Sequence, residues 1–239
     1  MNLCRQLIIT FLLKGIFKGG FIMQRLFVFF SILLIAEAIA YSDTTIVLDK
    51  PLENANVDIM KAFKNRKSER SYTNQLISIH HLSTVLWSGY GINRQDGKHT
   101  VPTAYGKNYM KLYVIYDGKT YRYLPEKHCL QFIRAEVTTA MTSTQGWVGK
   151  STCVIVIVAD MDAFPFYAGL REQQLKYAHA TAGCIAQNIY IACTGLKLGT
   201  CLVAGVNVTG CKKAFKLHEN ELPLFIMPVG YPSAHQHSI

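Results

Sequence analysis

The sequence lacks the short motifs that define several enzyme classes. It contains no C-x-x-C pair, no H-E-x-x-H, no G-x-S-x-G and no Walker pattern, and no Ser/His/Asp set can be assembled on a motif basis. Its eight histidines show no metal-ligand spacing with acidic partners. Zinc-ribbon and thioredoxin-like proteins are therefore unsupported, and the sequence predicts no metal site and no nucleophilic side chain.

Charged residues are also scarce. Only 17% of the 239 residues are charged, with 25 Lys and Arg against 15 Asp and Glu, whereas 50% are hydrophobic. This composition is typical of a globular protein, and the length allows a sizeable core. The net charge of +10 would suit nucleic acid or an anionic membrane. Because the sequence has no basic helix, no long cationic run and no interleaved aromatic ladder, it favours a basic surface with one local anion site and no nucleic-acid partner.

An apolar run near the N-terminus predicts a targeting segment. Residues 26–36 (LFVFFSILLIA) follow Gln24-Arg25 and lead into Ala38-Ile39-Ala40, a small-x-small cleavage pattern. Because the run is short for a membrane span, it predicts a signal peptide over residues 1–40, with Met23 as a candidate true start, and one domain over residues 41–239. The expected location is exported and periplasmic. An uncleaved membrane anchor is the alternative.

Cysteine usage favours free thiols after residue 40. Cys153, Cys184 and Cys193 lie in apolar runs, where a free cysteine acts as a small hydrophobic residue. An exported location permits disulfides, and a bridge between Cys201 and Cys211 is conceivable.

Hydrophobic periodicity predicts a mixture of helices and strands. Helices are expected at 55–64, at 79–90 with Ser78 as N-cap, and at 170–196 with a C-terminal Gly195 or Gly199. Strands are expected in a hairpin at 111–124 that turns at Asp117-Gly118, in a doubly buried run at 151–159 and at 224–229, with a short strand or turn at 200–208. The predicted fold class is α+β, a central sheet covered by helices.

The segment 66–72 (R-K-S-E-R-S-Y) is a candidate anion site. Arg66, Ser68 and Arg70 alternate, so an extended loop would point all three to one side, where guanidinium forks and a hydroxyl suit a phosphate monoester. A solvated charge run after a helix is the alternative interpretation.

Two further segments carry small-residue turns beside strand-like runs, where the backbone can approach a flat ring closely. Residues 102–108 end in Asn108, whose amide both donates and accepts and therefore suits a ring edge with carbonyl and N–H groups. Gly205 follows Ala204, and backbone N–H groups there could reach a ring nitrogen that gains electron density on reduction. An ordinary loop and a structural glycine are the alternatives.

These segments resemble, in order, the motifs of the FMN-dependent nitroreductase family. R-K-S-E-R-S-Y is similar to its opening R-x-S-x-R-x-F/Y motif, and P-T-A-Y-G-K-N-Y-M-K-L-Y-V-I to its P-S-S-x-x-x-Q-P-W-x-F-x-V segment. A-G-C-I-A-Q-N-I-Y-I-A-C-T-G-L-K-L-G-T resembles its central helix, V-A-G-V-N its glycine turn and P-V-G-Y-P its closing strand. The matches run over about 61–232, and the closest branch is the one that includes thiazole- and oxazole-forming oxidases.

The resemblance implies an α+β fold, in which helices sandwich a central antiparallel-rich sheet, and a dimer with FMN at the subunit interface. It also implies an oxidoreductase that passes hydride through flavin N5 to or from a small organic substrate such as a nitroaromatic or quinone. The cofactor, not a side chain, would carry the chemistry. The residues that the resemblance assigns to the flavin are Arg66, Lys67, Ser68, Arg70, Pro102, Thr103, Ala104, Tyr105, Asn108, Ala204 and Gly205.

Three positions depart from the family pattern. Asn108-Tyr109 stands where Gln-Pro is common, Ala204 replaces a frequent acidic residue, and no Arg or Lys follows Pro232. The last two departures favour the alternative of an exported flavin-binding protein that has kept the fold without robust turnover. A basic protein that binds membrane or nucleic-acid surfaces is a third, more remote reading.

Overall fold

The computed structural model describes residues 45–52 and 58–233. The predicted signal peptide, its cleavage pattern and the C-terminal histidines lie outside the described residues. The described residues belong to one compact unit that begins at Thr45.

A seven-stranded sheet forms the centre of the unit. Its strands are β1 (Thr45–Val47), β2 (Met110–Tyr116), β3 (Lys119–Leu124), β4 (Cys129–Ala135), β5 (Cys153–Asp160), β6 (Gly199–Thr200) and β7 (Glu221–Gly230). Their order is β1-β4-β3-β2-β5-β7-β6, and every neighbouring pair is antiparallel. The predicted antiparallel-rich sheet is confirmed.

The middle strand is the doubly buried run of the sequence. β5 pairs with β2 on one side and β7 on the other, and its residues from Cys153 to Ala159 are fully buried. β-branched side chains fit such a pleated position, because both faces of the strand need apolar packing. Next to it, Asp117 and Gly118 adopt φ values of 51° and 67° and close the predicted β2–β3 hairpin in the left-handed conformation of a type I′ turn.

In the described part of the chain, four α-helices cover the sheet: α1 (Ile59–Asn65), α2 (Ile79–Tyr90), α3 (Arg171–Gly195) and α4 (Val208–Phe215). α2 begins as predicted, since the Ser78 hydroxyl accepts from the His81 N–H at 3.1 Å. α3 ends at Gly195 as predicted, although the left-handed residue beyond it is Lys197. α1 is a helix, yet Ile59, Met60 and Phe63 are exposed and only Ala62 is buried.

The helix after β6 was not predicted from the sequence. Residues 200–208 were expected to form a short strand or turn; Thr200 lies in β6 and Val203 forms a β-bridge with Ile226, but Val208 already starts α4. The Asn207 side chain caps this helix by accepting from the Gly210 N–H at 3.0 Å. Periodicity missed α4 because it is short and contains a glycine and two lysines.

The helices cover both faces of the sheet and create two core layers. On one face α2 and α3 pack with Leu112 and Ile155, and on the other α4 packs with Tyr113 and Val154. The alternation along β2 and β5 assigns successive residues to opposite layers. This is the sandwich that the sequence predicted.

A charged cluster crosses the ends of β2, β5 and β7. Lys111 Nζ lies 2.7 Å from Asp160 Oδ2 and 2.7 Å from Glu221 Oε1. Glu221 also accepts from the Tyr113 hydroxyl at 3.0 Å and from the His218 N–H at 2.8 Å. Burial by itself would raise the pKa of Glu221, but these donors and the Lys111 charge lower it below its ordinary value.

The cysteines after residue 40 are all free thiols, and every one except Cys184 is buried. The conceivable Cys201–Cys211 bridge is therefore not formed. Burial raises the pKa of the Cys211 thiol to about 12 and raises those of Cys153 and Cys193 as well.

Candidate functional site

The basic segment 66–72 is extended and fixed at several points. It leaves α1 at Arg66, and the Glu69 N–H donates to the Thr200 carbonyl at 2.9 Å. Farther along, the Ser233 N–H donates to the Ser71 carbonyl at 3.1 Å, so the segment is held between β6 and the end of β7. An extended loop with fixed ends satisfies the condition under which alternate side chains share one side.

Lys67 and Glu69 form an ion pair inside this segment. The Lys67 ammonium lies 3.3 Å from the Glu69 carboxylate, which is buried. Gly199 makes room for this carboxylate, because a Cβ atom at residue 199 would lie 2.6 Å from Glu69 Cγ. Lys67 therefore compensates a buried charge inside the segment, and its assignment to the flavin stays a prediction.

Tyr190 of α3 connects the basic segment to the chain after β6. Its hydroxyl lies 2.9 Å from Ser68 Oγ and accepts from the Leu202 N–H at 2.7 Å. The Arg66 guanidinium lies over the same ring, 5.0 Å from its centroid. Sequence reasoning missed this residue; a tyrosine among the buried positions of α3 was the only signal, since a buried hydroxyl usually finds a partner.

The loop that carries Gln145 and Trp147 lies between Arg70 and Gly205 and contacts both. The Arg70 guanidinium is 6.0 Å from the Trp147 ring centroid, and Trp147 Nε1 donates to Gln145 Oε1 at 2.9 Å. A Cβ atom at residue 205 would lie 3.0 Å from Gln145 Nε2 and 3.0 Å from Thr144 Oγ1, a tight contact that glycine avoids. No sequence motif indicated that this loop belongs to the site.

The backbone at Ala204-Gly205 presents free donors. The Gly205 carbonyl accepts from the Ser143 hydroxyl at 2.8 Å and from the Thr144 N–H at 3.0 Å. The N–H groups of Ala204 and Gly205 donate to no acceptor among residues 45–52 and 58–233. Both donors are therefore available to a ligand, as the sequence interpretation requires.

The segment 102–108 docks on the N-terminal half of α3. The Ala104 N–H donates to the Tyr109 hydroxyl at 2.8 Å, and that hydroxyl lies 2.8 Å from Thr181 Oγ1, which donates to the Pro102 carbonyl at 3.3 Å. A cavity of about 300 Å³ opens beside it. Its lining residues are Pro102, Thr103, Ala104, Tyr109, Tyr177, Ala180, Thr181 and Cys184. Asn108 is exposed and does not line this cavity.

Tyr105 sits at the tip of this segment in the left-handed region, with a φ of 57°. Its ring packs edge-on against Tyr167 and Tyr177, with centroid distances of 5.4 Å and 5.6 Å. The Tyr105 hydroxyl donates to the Tyr177 hydroxyl at 3.4 Å, which raises the pKa of Tyr105 and lowers that of Tyr177. Of these three aromatic residues, Tyr177 is the one that lines the cavity.

The structure brings two of the three predicted segments together within one chain. The basic segment and Gly205 meet around Tyr190 and Trp147, whereas 102–108 is anchored at Thr181. Thr181 and Tyr190 are nine residues apart on α3, which corresponds to about 13 Å along the helix axis. Within the part of the chain that the structure describes, no cluster of three or more metal-ligating side chains occurs, and no helix is long and apolar enough to cross a membrane.

Fold and site together define a mixed helix and antiparallel-sheet protein with a basic segment whose two arginines lie against aromatic rings. The model of the nitroreductase family matches residues 63–231. A protein of Methanocaldococcus jannaschii that is classed as a nitroreductase is 28% identical over 176 residues, covering 69% of this chain and 86% of the relative.

Solved structures of nitroreductases also resemble this chain. A crystal structure of a protein from Ralstonia eutropha, also classed as a nitroreductase, has a TM-score of 0.74 and 29% identity, covering 80% of this chain and 91% of that chain. The NfrA1 nitroreductase of B. subtilis has a TM-score of 0.53 at 20% identity, covering 74% and 67%, a similarity of fold alone. The chain belongs to the nitroreductase family and is a nitroreductase-type oxidoreductase. The branch within the family stays a prediction.

Proposed function

We propose that this protein is an FMN-dependent oxidoreductase that transfers hydride to or from a small organic substrate, a nitroaromatic, a quinone or a similar acceptor. The observation that carries the proposal is the state of the two arginines: neither the Arg66 nor the Arg70 guanidinium is paired with a carboxylate among the described residues. Each is backed by an aromatic ring instead. Two free guanidinium groups beside a hydroxyl suit a phosphate monoester.

The remaining residues fit the rest of a flavin mononucleotide. The free N–H groups of Ala204 and Gly205 would donate to the ring edge, and the apolar cavity beside 102–108 would exclude water from its face. When bound, FMN would supply hydride transfer at its N5 atom. Tyr190 would keep Ser68 and Arg66 in place, since it contacts both of them.

We further propose a homodimer with FMN at the subunit interface. The distance along α3 between residues 102–108 and the basic segment supports the dimer, because residues 102–108 of a second copy could lie beside the basic segment of the first. The outer face of α3 also supports it: Ala180, Gly183, Cys184 and Gln187 are all exposed. Small side chains on an exposed helix face allow close approach of a partner.

Thiol labelling tests the dimer, since Cys184 is the one exposed cysteine of the described chain. We expect alkylation of Cys184 in the native FMN-loaded protein at working concentration to be at least tenfold slower than in the protein diluted below its dissociation constant. Analytical ultracentrifugation of the same samples reports the mass. Equal labelling rates in a sample that sediments as a dimer would place the interface elsewhere, and a monomer throughout would refute the dimer.

An absorption spectrum of the protein prepared with FMN, followed by reduction and reoxidation, tests the function. We expect the spectrum of a bound flavin, which dithionite bleaches. A quinone or a nitroaromatic should then reoxidise the bound reduced flavin faster than it reoxidises free reduced FMN. A colourless protein would overturn FMN dependence. A yellow protein that accelerates no acceptor would support the alternative of a flavin-binding protein without robust turnover, which Ala204 favours because it stands where the family often carries an acidic residue.

The cellular location is proposed from residues 1–40 alone. We propose export to the periplasm, with an electron donor other than a nicotinamide, because nicotinamide cofactors are scarce outside the cytoplasm. A protein that begins after Ala40 by intact mass is the expected result. A mass that retains the segment would support the anchored form, and rapid bleaching of the flavin by NADH or NADPH in stopped flow would contradict the proposed donor.

A further inference from the structure

A second cavity, of about 290 Å³, lies on the face of the sheet that α4 covers. Its lining comes from β2, β3 and β4 and from the end of α4, and includes no residue of the flavin site proposed above. Tyr113, Arg122 and Gln131 form one cross-strand row in its floor, since Tyr113 pairs with Arg122 and Arg122 with Gln131 in the sheet register. Residues that are paired in this way point to the same face.

The end of α4 leaves this row partly uncovered. Phe215, the last residue of α4, packs on Tyr113 with ring centroids 5.3 Å apart. Arg134 Nη1 donates to the Lys213 carbonyl at 3.4 Å and holds the helix end against β4. Arg122 therefore lies where the helix stops, in an aromatic-walled depression that Gln131 borders on its outer side.

Arg122 lacks the partner that such a position calls for. Its Nε is buried and has no hydrogen-bond acceptor among the described residues, and its guanidinium forms no ion pair with any of them. The carboxylates on the other side of Tyr113 are already engaged, because Lys111 pairs with both Asp160 and Glu221. A buried charged donor that no protein group satisfies needs an acceptor from solution, and an anion satisfies both its hydrogen bond and its charge.

Lys216 adds a second cation to the same cavity. It is the C-cap of α4 and adopts the left-handed conformation, with φ 52° and ψ 44°. The seven lining residues include Arg122 and Lys216 but no Asp or Glu. The lining therefore carries two positive charges, one from a guanidinium with a free buried Nε.

We propose that this cavity is an accessory binding site for a small oxyanion, a carboxylate or phosphate group that contacts Arg122 and Lys216 and accepts from the Gln131 amide. Phe215 and Tyr113 supply apolar walls for the body of the ligand. The site is independent of the flavin proposal, because the two sites share no residue.

Calorimetric titration with inorganic phosphate and, separately, with benzoate tests this site on the full chain. Because Arg66 and Arg70 also attract anions, the titrations are repeated in the Arg66→Ala, Arg70→Ala double variant. In that background we expect binding of phosphate or benzoate to persist and Arg122→Gln to weaken it at least tenfold, the worth of a lost charge-assisted hydrogen bond. Arg122→Lys keeps the charge but lacks Nε and should recover only part of the affinity.

Lys216→Asn is the second variant, because asparagine tolerates the left-handed conformation and removes the charge without backbone strain. We expect it to weaken binding three- to tenfold with an unchanged or higher Tm, whereas Lys213→Gln, on the same helix but outside the cavity, changes affinity less than twofold. Binding of phosphate alone would identify a phosphate site, and binding of benzoate alone a carboxylate site.

Failure of both probes to bind to the Arg66→Ala, Arg70→Ala double variant, or equal affinity in that double variant and in its folded Arg122→Gln derivative, would overturn the proposal. FMN retention is measured on the single Arg122→Gln variant, in which Arg66 and Arg70 are unchanged. Because that variant leaves the flavin site intact, it should keep the flavin whichever way the anion titrations turn out.

Discussion

Replacement of Lys111 by Met should lower the free energy of unfolding by about 3 kcal/mol. Lys111 is the only cation that pairs with Asp160 and Glu221 among the described residues, so its loss leaves two carboxylates facing each other with no counter-charge. Breaking a buried pair costs about 3–5 kcal/mol. The lower end of this range applies because the side chains of Lys111 and Asp160 are 17% and 19% exposed to solvent. Chemical denaturation at pH 7, with a two-state fit, measures the loss.

The same variant has a predictable pH dependence. Folding lowers the pKa of Glu221 below its ordinary value of 4.5, so in the unchanged protein this carboxylate contributes stability above pH 4.5 that is lost as the pH falls through the folded pKa. In Lys111→Met the unpaired carboxylates protonate more readily, which relieves their repulsion. The stability difference between the two proteins should therefore shrink below pH 4.5.

Lys98→Met is the matched control. Lys98 pairs with Asp96 at 3.2 Å, but these side chains are 63% and 52% exposed. A solvent-exposed ion pair contributes little, so we expect an unchanged denaturation midpoint at pH 7. A Lys111→Met protein as stable as this control would show that the cluster at the ends of β2, β5 and β7 does not stabilise the fold.

Replacement of Arg66 by Ala should raise the dissociation constant for FMN by about 10- to 150-fold. The variant removes a guanidinium that lies over the Tyr190 ring and is free of any carboxylate partner in the described chain. A hydrogen bond to a charged group is worth about 1.5–3 kcal/mol, and each 1.4 kcal/mol corresponds to a tenfold change. Quenching of flavin fluorescence on titration with the apoprotein measures the constant.

Two further variants separate charge from structure at this position. Arg66→Lys keeps the positive charge but loses the planar fork, so it should show an intermediate affinity. Lys64→Ala removes an exposed lysine from the last turn of α1 and should leave the constant unchanged. An Arg66→Ala protein that retains FMN as well as Lys64→Ala does would show that Arg66 does not hold the phosphate.

Several elements could be predicted because their signals are local. Ser78 caps α2 through its own backbone neighbours, Asp117-Gly118 adopt positive φ values that few residue pairs tolerate, and the β-branched run of β5 has one suitable environment. β1 and β4 carried no such signal. β1 has only three residues, and β4 mixes exposed and buried positions without strict alternation.

The candidate site could be predicted in its parts but not in its assembly. Arg66, Ser68 and Arg70 were found because their spacing suits a phosphate, and Gly205 because it follows a small residue beside a strand. Trp147 and Tyr190 were missed, since each acts through residues far away in the sequence: Tyr190 contacts Ser68 across 122 positions. Sequence patterns report neighbours along the chain, whereas these contacts exist only after α3 has packed on the sheet.

The amino-acid sequence alone determined the local conformations, the α+β class and the segments that carry cations and close-approach turns, because each depends on residues within one or two turns of the chain. The tertiary structure decided which groups remain unsatisfied. Glu69 pairs with Lys67, and Asp160 and Glu221 pair with Lys111. The guanidinium groups of Arg66, Arg70 and Arg122 have no carboxylate partner within residues 45–52 and 58–233. Ion pairing depends on distances between strands and helices that are remote in sequence, and only the folded chain fixes those distances.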